Sequence, residues 1–295
     1  MKTKRLMALI TGMIILCGST YADFVTIGNP GNTADPATGY GAVNYAYEIG
    51  KHETTIAQWS QFYNDPNSGR VGTFFGVNSY SYWNYFHSQG VDAPVSYVSI
   101  HQAAQYCNWL TTGSATTGAY SIDENGAITA IDRTYRNNEG KLFVLPTENE
   151  WHKAAYYTGN IEDEWSLFAQ GTDLAPLAAL TSWQYYNNGY SPTVARSAYV
   201  GAEEQNGTLN MMGNIREWVE WPLSGNGRAR GGYYGDGSSG LQSTNYSSEW
   251  SPTVTSKDYG FRIVAIPEPG VAMILSLGGA IVLIRRRIQT MRTRH

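Results

Sequence analysis

Helical periodicity in this chain is confined to three short segments, and that limits the possible folds more than any other feature of the sequence. Thr54 or Thr55 can cap a helix whose apolar residues are Ile56, Trp59, Phe62 and Tyr63. Ser99 and Gln102 form a capping box ahead of Ala103, Ala104, Cys107 and Leu110, with Ile100 on the same face. Thr147 and Glu150 form another, ahead of Trp151, Ala154 and Ala155. Between the last two helices, Tyr120-Ser121-Ile122 and Ala127-Ile128-Thr129 flank Asn125-Gly126, a hairpin signal. Residues 23–45, with Gly28-Asn29-Pro30-Gly31-Asn32 and Gly39-Tyr40-Gly41, read as an extended, turn-rich lead-in. From 181 to 262 periodicity fades into loops and short strands, and no fixed-period repeat runs through the chain.

Composition supports a loop-rich domain. The 295 residues include 32 glycines, 11 prolines, 22 tyrosines and 9 tryptophans, and only 15% are charged. A disordered chain would be charge-rich and aromatic-poor. A coiled coil or helical bundle would be rich in Glu, Lys and Leu.

The formal net charge of −4 conceals an uneven distribution. Lys2, Lys4 and Arg5 open the chain, and Arg285, Arg286, Arg287, Arg292 and Arg294 close it. Residues 23–269 hold 12 basic and all 24 acidic residues, a net of −12. A body this acidic argues against nucleic acid or an anionic polysaccharide as partner, since both need basic surfaces.

The two basic ends read as export signals. Lys2 to Arg5, the apolar run Leu6–Leu16 and the small residues of Thr20-Tyr21-Ala22 form a secretory signal peptide over residues 1–22. Cys17 would permit a lipoprotein, but Leu16 stands where a small residue is needed. Removing residues 1–22 leaves Cys107 alone, so the mature chain has no internal disulfide. At the other end, Ile266-Pro267-Glu268-Pro269-Gly270 precedes an apolar run, Val271–Ile284, and then Arg285-Arg286-Arg287. The run 271–284 is a short transmembrane segment with its basic end in the cytoplasm, against roughly 20 residues for a comfortable span. This order resembles the PEP-CTERM sorting tail, over residues 266–295. The resemblance implies an exosortase-type partner, membrane contact before processing, and delivery to the cell envelope, outer surface or extracellular matrix of a Gram-negative bacterium. A plain tail anchor is the alternative.

Seven segments occur in a telling order between Tyr47 and Ala265. They run Tyr47-Glu48-Ile49-Gly50-Lys51-His52-Glu53-Thr54-Thr55, Pro94-Val95-Ser96-Tyr97-Val98-Ser99 and Tyr106-Cys107-Asn108-Trp109-Leu110. Leu145-Pro146-Thr147-Glu148-Asn149-Glu150-Trp151 follows, then Asn210-Met211-Met212-Gly213-Asn214-Ile215-Arg216-Glu217-Trp218, Arg230-Gly231-Gly232 and Gly260-Phe261-Arg262. Together they resemble the formylglycine-generating enzyme, or sulfatase-modifying factor, family. The resemblance implies one α+β domain over residues 23–265, with little regular secondary structure and a C-type-lectin-like core.

The resemblance also implies a chemistry for which this sequence lacks the parts. Active members hold copper with two thiolates just after the Arg-Gly-Gly segment; here Asp236 and Leu241 stand at those positions. No cysteine occurs from Arg230 to Arg262, so copper is not expected. His52, His87, His101 and His152 lack close metal-ligand spacing and read as surface or capping residues. The segment from Asn210 to Glu217 is similar to a family calcium loop. Carried over, Asn210 and Glu217 would supply side chains, and Gly213 and Ile215 backbone carbonyls, an oxygen-only set that suits calcium. Arg216 sits inside this loop without an evident role. The aromatic and polar residues Trp221, Tyr233, Tyr234, Asp236, Tyr246 and Trp250 mark a candidate binding surface for a glycan or a surface protein. The expectation is an exported, non-catalytic binding module. A family oxidoreductase with an altered metal site and a structural matrix protein are the alternatives.

Overall fold

The computed structural model describes residues 23–74, 91–160, 164–174, 203–221, 223, 226–233, 235–245 and 250–266. The expected signal peptide and the apolar run 271–284 lie outside them.

Among the described residues, each of three α-helices begins at a capping box. Helix α1 (Ile56–Asn64) is capped by Thr55 rather than Thr54, with Gln58 as the reciprocal partner. Helix α2 (Ile100–Thr112) starts at Ser99 with Gln102 and stops at Gly113, whose φ of 82° is the left-handed region that favours glycine. Helix α3 (Glu148–Tyr156) starts at Thr147 with Glu150. The faces read from periodicity point inward. Ile56, Trp59, Phe62, Ile100, Ala103, Ala104, Cys107, Trp151, Ala154 and Ala155 are all buried. Trp59, Phe62, Tyr106, Trp109 and Phe261 meet ring to ring with centroids 5.2–6.0 Å apart.

Residues 23–45 hold more than a lead-in. Strand β1 (Phe24–Ile27) pairs antiparallel with β2 (Tyr47–Gly50), Val25 opposite Ile49. The expected hairpin forms from β3 (Tyr120–Ile122) and β4 (Ile128–Ile131), with Asp123 Oδ1 accepting the Asn125 and Ala127 amides in the turn. Strand β5 (Leu142–Val144) is tied to α2, the Phe143 amide donating to Thr111 Oγ1 at 3.0 Å. The later stretch contributes β6 (Arg216–Val219), β7 (Arg228–Arg230), β8 (Tyr259–Gly260) and β9 (Val264–Ile266). With the earlier strands they complete two sheets, of order β1-β2-β9-β5 and β7-β6-β8, beside the β3-β4 hairpin. In the second, β6 runs parallel to β8 with Arg216 opposite Tyr259. Among the described residues, mixed short strands and three α-helices make this an α+β fold with sparse regular structure.

Arg262, on the connection between β8 and β9, joins the two sheets. Its Nε and Nη2 donate to Glu217 at 2.6 Å each, forming a two-pronged pair with β6. Its remaining N–H groups reach the carbonyls of Gly50, Lys51 and Leu209. All five guanidinium donors are satisfied, and both charged side chains are buried. A second arginine, Arg133, bridges Glu150 of α3 and Glu220 beyond β6, at 2.6 Å to each. Removing one member of a buried pair strands the other charge, at a cost of about 3–5 kcal/mol. Arg262→Met should therefore lower the unfolding free energy by roughly that amount in urea denaturation. A loss below about 1 kcal/mol would mean that the sheets hold together without the pair.

Candidate functional site

A concavity lies where β6, β8 and the segment following β7 meet. Alternation along β6 sends Glu217 to the interior pair with Arg262 and sends Arg216 to the opposite face. There Arg216 floors a cleft of about 290 Å³ lined by Asp236, Asn245, Trp250, Asp258 and Tyr259. Its Nη1 donates to Asp258 Oδ2 at 2.8 Å, and its Nη2 donates to both oxygens of Asp236 at 2.8 and 3.0 Å. Asp236 Oδ2 also accepts the Tyr233 amide at 3.1 Å, and Asp258 accepts the Ser256 hydroxyl. The guanidinium lies over the Tyr233 ring, 4.0 Å from its centroid. Burial pushes the Asp236 carboxyl above its usual range, although Arg216 pulls it down.

The Arg230-Gly231-Gly232 segment gives this wall its shape. Gly231 and Gly232 have φ of 91° and 71°, left-handed values that side chains disfavour. A Cβ on Gly232 would stand 2.9 Å from the Gly240 carbonyl and from Leu241 Cδ2. The chain turns here without side chains, so the 3-10 turn Ser238–Leu241 can pack against it and hold Asp236 over Arg216.

The residues read from sequence as a binding surface separate into groups. Asp236 and Trp250 line the cleft, with Trp250 44% exposed, and Tyr233 flanks it under Arg216. Trp221 does not join them. It borders a separate notch with Leu223 and Pro252, and the Arg228 guanidinium covers its ring at 3.7 Å. Tyr234 and Tyr246 lie outside the described residues. Leu241 is buried, and its carbonyl accepts the Tyr156 hydroxyl.

The loop expected to hold calcium has a different set of partners. Asn210 and Asn214 both adopt φ of 59°, a turn that places their amides against Glu53. Glu217 accepts three N–H bonds, two from Arg262 and one from Trp151 Nε1 at 2.7 Å. Calcium would have to displace Arg262 from Glu217, so the side-chain donors Asn210 and Glu217 fit the ion poorly as they stand. The Gly213 amide donates to the Gly231 carbonyl, and Ile215 is buried. Among the described residues, no group of three or more His, Cys, Asp or Glu side chains is arranged to hold a metal.

Sequence reading missed an excess of buried acid around Arg262. Glu53, Glu204 and Glu217 all act on this one cation. Burial, with help from Glu217, pushes the Glu53 carboxyl up to about 8 against the pull of Arg262. Burial likewise raises Glu204 to about 7, again against Arg262. A raised carboxyl favours folding while protonated. That stability is complete below an unfolded value near 4.5 and is lost as pH rises through 8.

The histidines are not all surface or capping residues. His152 is fully buried beside Asp35, with Nε2 at 2.9 Å from Asp35 Oδ2 and Nδ1 at 2.6 Å from Arg230 Nη2. Arg230 can only donate, so Nδ1 accepts and Nε2 carries the proton toward Asp35. His101 Nδ1 accepts the Ile128 amide at 3.2 Å, and His87 lies outside the described residues. Arg216, Asp258 and Ser256 are cleft residues that sequence reading did not select. The available signal was Asp258 two residues before Gly260-Phe261-Arg262, on the loop leading into β8.

An α+β domain with sparse regular structure and a polar, tryptophan-edged cleft defines the class. The model of the sulfatase-modifying factor enzyme 1-like domain matches residues 10–266, and the chain belongs to that family. Among solved structures, Treponema denticola variable protein 1 is similar at 20% identity and a TM-score of 0.54, covering 83% of this chain and 95% of that one. CarF is similar at 18% identity and a TM-score of 0.55, covering 83% and 98%. PvdO from Pseudomonas aeruginosa is similar at 15% identity and a TM-score of 0.50, covering 83% and 91%. At these identities the likeness shows a shared fold. No curated protein matches the chain.

Two measurements test this region. Glu53→Gln removes a group that ionises near pH 8, so its stability should fall less than the wild type's between pH 5 and 8. The slopes should differ by up to about 1.4 kcal/mol per pH unit, and parallel profiles would refute the raised carboxyl. Melting with EDTA or with added calcium should give one transition temperature. A rise with calcium would show that the fold binds the ion and would overturn the poor fit argued for the loop from Asn210 to Glu217.

Proposed function

We propose that this chain is an exported, non-catalytic member of its family that acts as a cell-surface or matrix binding module through the Arg216 cleft. The observation that carries the reading is what stands where the family resemblance places two copper thiolates. Asp236 is held by Arg216 in a charged pair, and Leu241 is packed into the core. A hard carboxylate and an aliphatic side chain do not replace two soft thiolates. Cys107 offers no substitute. It is buried on α2, and burial raises its thiol pKa well above the ordinary value, which disfavours the reactive thiolate.

The exposed indole of Trp250 beside hydrogen-bonding Asp236, Asp258 and Asn245 supports binding as the residual role. The family's C-type-lectin-like core is consistent with a scaffold whose loops carry the site. The basic and apolar ends support export, with residues 1–22 as signal peptide and 266–295 as a PEP-CTERM tail handled by an exosortase-type enzyme. The partner is then a glycan or a surface protein met outside the cytoplasm.

The test has two arms. Copper-loaded protein mixed with a cysteine-containing sulfatase peptide should neither consume oxygen nor form formylglycine. Purified protein should be retained on extracellular matrix from its own cells, and Trp250→Ala should weaken that retention about tenfold, the equivalent of about 1.4 kcal/mol. Copper-dependent turnover would overturn the non-catalytic reading, and retention indifferent to Trp250 would overturn the cleft as the binding site.

A further inference from the structure

The hydrogen bonding at the cleft floor restricts the chemistry of its occupant. Arg216 donates two bonds to Asp236 and one to Asp258, while Asp236 accepts the Tyr233 amide and Asp258 the Ser256 hydroxyl. A carboxylate offers about four acceptor sites. Asp236 therefore has about one left, and Asp258 about two.

Four kinds of ligand fare differently here. An anion would meet two carboxylates whose cation is already engaged on both sides. An ammonium or guanidinium group would compete with Arg216 for oxygens it holds at 2.8–3.0 Å. A divalent cation would have to break the same ion pairs. A neutral hydroxyl needs only a vacant lone pair and leaves the pairs intact.

The rim supplies the other half of a recognisable ligand. Trp250 lines the same cleft and stands edge-on to Tyr259 at 6.3 Å between centroids, which fixes its plane. A bridge with Gly227 holds its backbone at both N–H and C=O, at 3.0 and 2.7 Å. An indole face beside hydroxyl acceptors suits a pyranose ring, which has an apolar C–H face and a rim of hydroxyls.

We propose that the cleft binds a neutral sugar residue without a divalent cation, its C–H face on Trp250 and its hydroxyls on Asp236 and Asp258. This rests on the cleft being the binding site, as argued above, and specifies the ligand.

Titration calorimetry of the full chain can decide it. The probes are maltopentaose, cellopentaose, mannopentaose and chitopentaose, with polygalacturonate and hexalysine as charged competitors, each in calcium and in EDTA. At least one neutral pentasaccharide should bind with the same Kd in both buffers. Trp250→Ala should weaken it about tenfold, and Trp250→Phe should restore much of the loss. Asp258→Ala should weaken it further, with circular dichroism confirming the fold; Trp250→Ala alone decides the matter if that variant misfolds. Binding abolished by EDTA would overturn cation independence. Binding of hexalysine or polygalacturonate in place of every sugar, lost in Trp250→Ala, would overturn the sugar while leaving the cleft as a binding site. No Trp250-dependent binding of any probe would overturn the proposal, and matrix retention then judges the broader reading separately.

Discussion

The pairing of Arg262 with Glu217 is the constraint on which the rest of the structure depends. The guanidinium joins β6 to the end of β2 and to the loop carbonyl of Leu209, segments far apart in sequence. Short strands of two to four residues supply few ladder bonds of their own. A buried, fully satisfied arginine fixes direction where sheet pairing alone would leave slack. Trp151 of α3 donates to the same carboxylate, so helix, both sheets and the cleft wall take their positions from one side chain.

The same device recurs with different outcomes. Arg133 locks α3 to the strand end at Glu220, and Arg230 lies against Glu148 and His152 inside the core. Arg216 forms a similar pair of contacts at the surface, where they shape a concavity. Neighbouring positions in one strand thus divide the labour. Glu217 faces inward and stabilises, while Arg216 faces outward and presents its aspartates to solvent.

Features set by local chemistry were legible in the sequence. The caps at Ser99 and Thr147, the Asn125-Gly126 turn and the core face of α2 with Cys107 depend on residues within a few positions of each other. Features made by distant partners were not. Strand β1 is a four-residue run of β-forming side chains directly before glycine-rich turns, and its partner β2 lies about 20 residues further on. Arg216 acquires its role from Asp236 and Asp258, 20 and 42 residues away. His152 looked like a helix surface residue because its partner, Asp35, lies 117 residues earlier. Trp221 shares its neighbourhood in sequence with the cleft, yet Arg228 draws its ring to a different notch. Family order pointed to Asp236 and Leu241 but was silent on their environments, a charged pair for one and apolar packing for the other.

Strand β9 has a mechanical consequence. It is the last described strand and lies inside its sheet, bonded to β2 on one side and β5 on the other. A pull on the chain beyond Ile266 enters the domain along that strand and loads both ladders together in shear, instead of opening one edge bond by bond. Arg262, just upstream, then anchors the strand's far end to the other sheet. A domain held from this end is gripped through its interior.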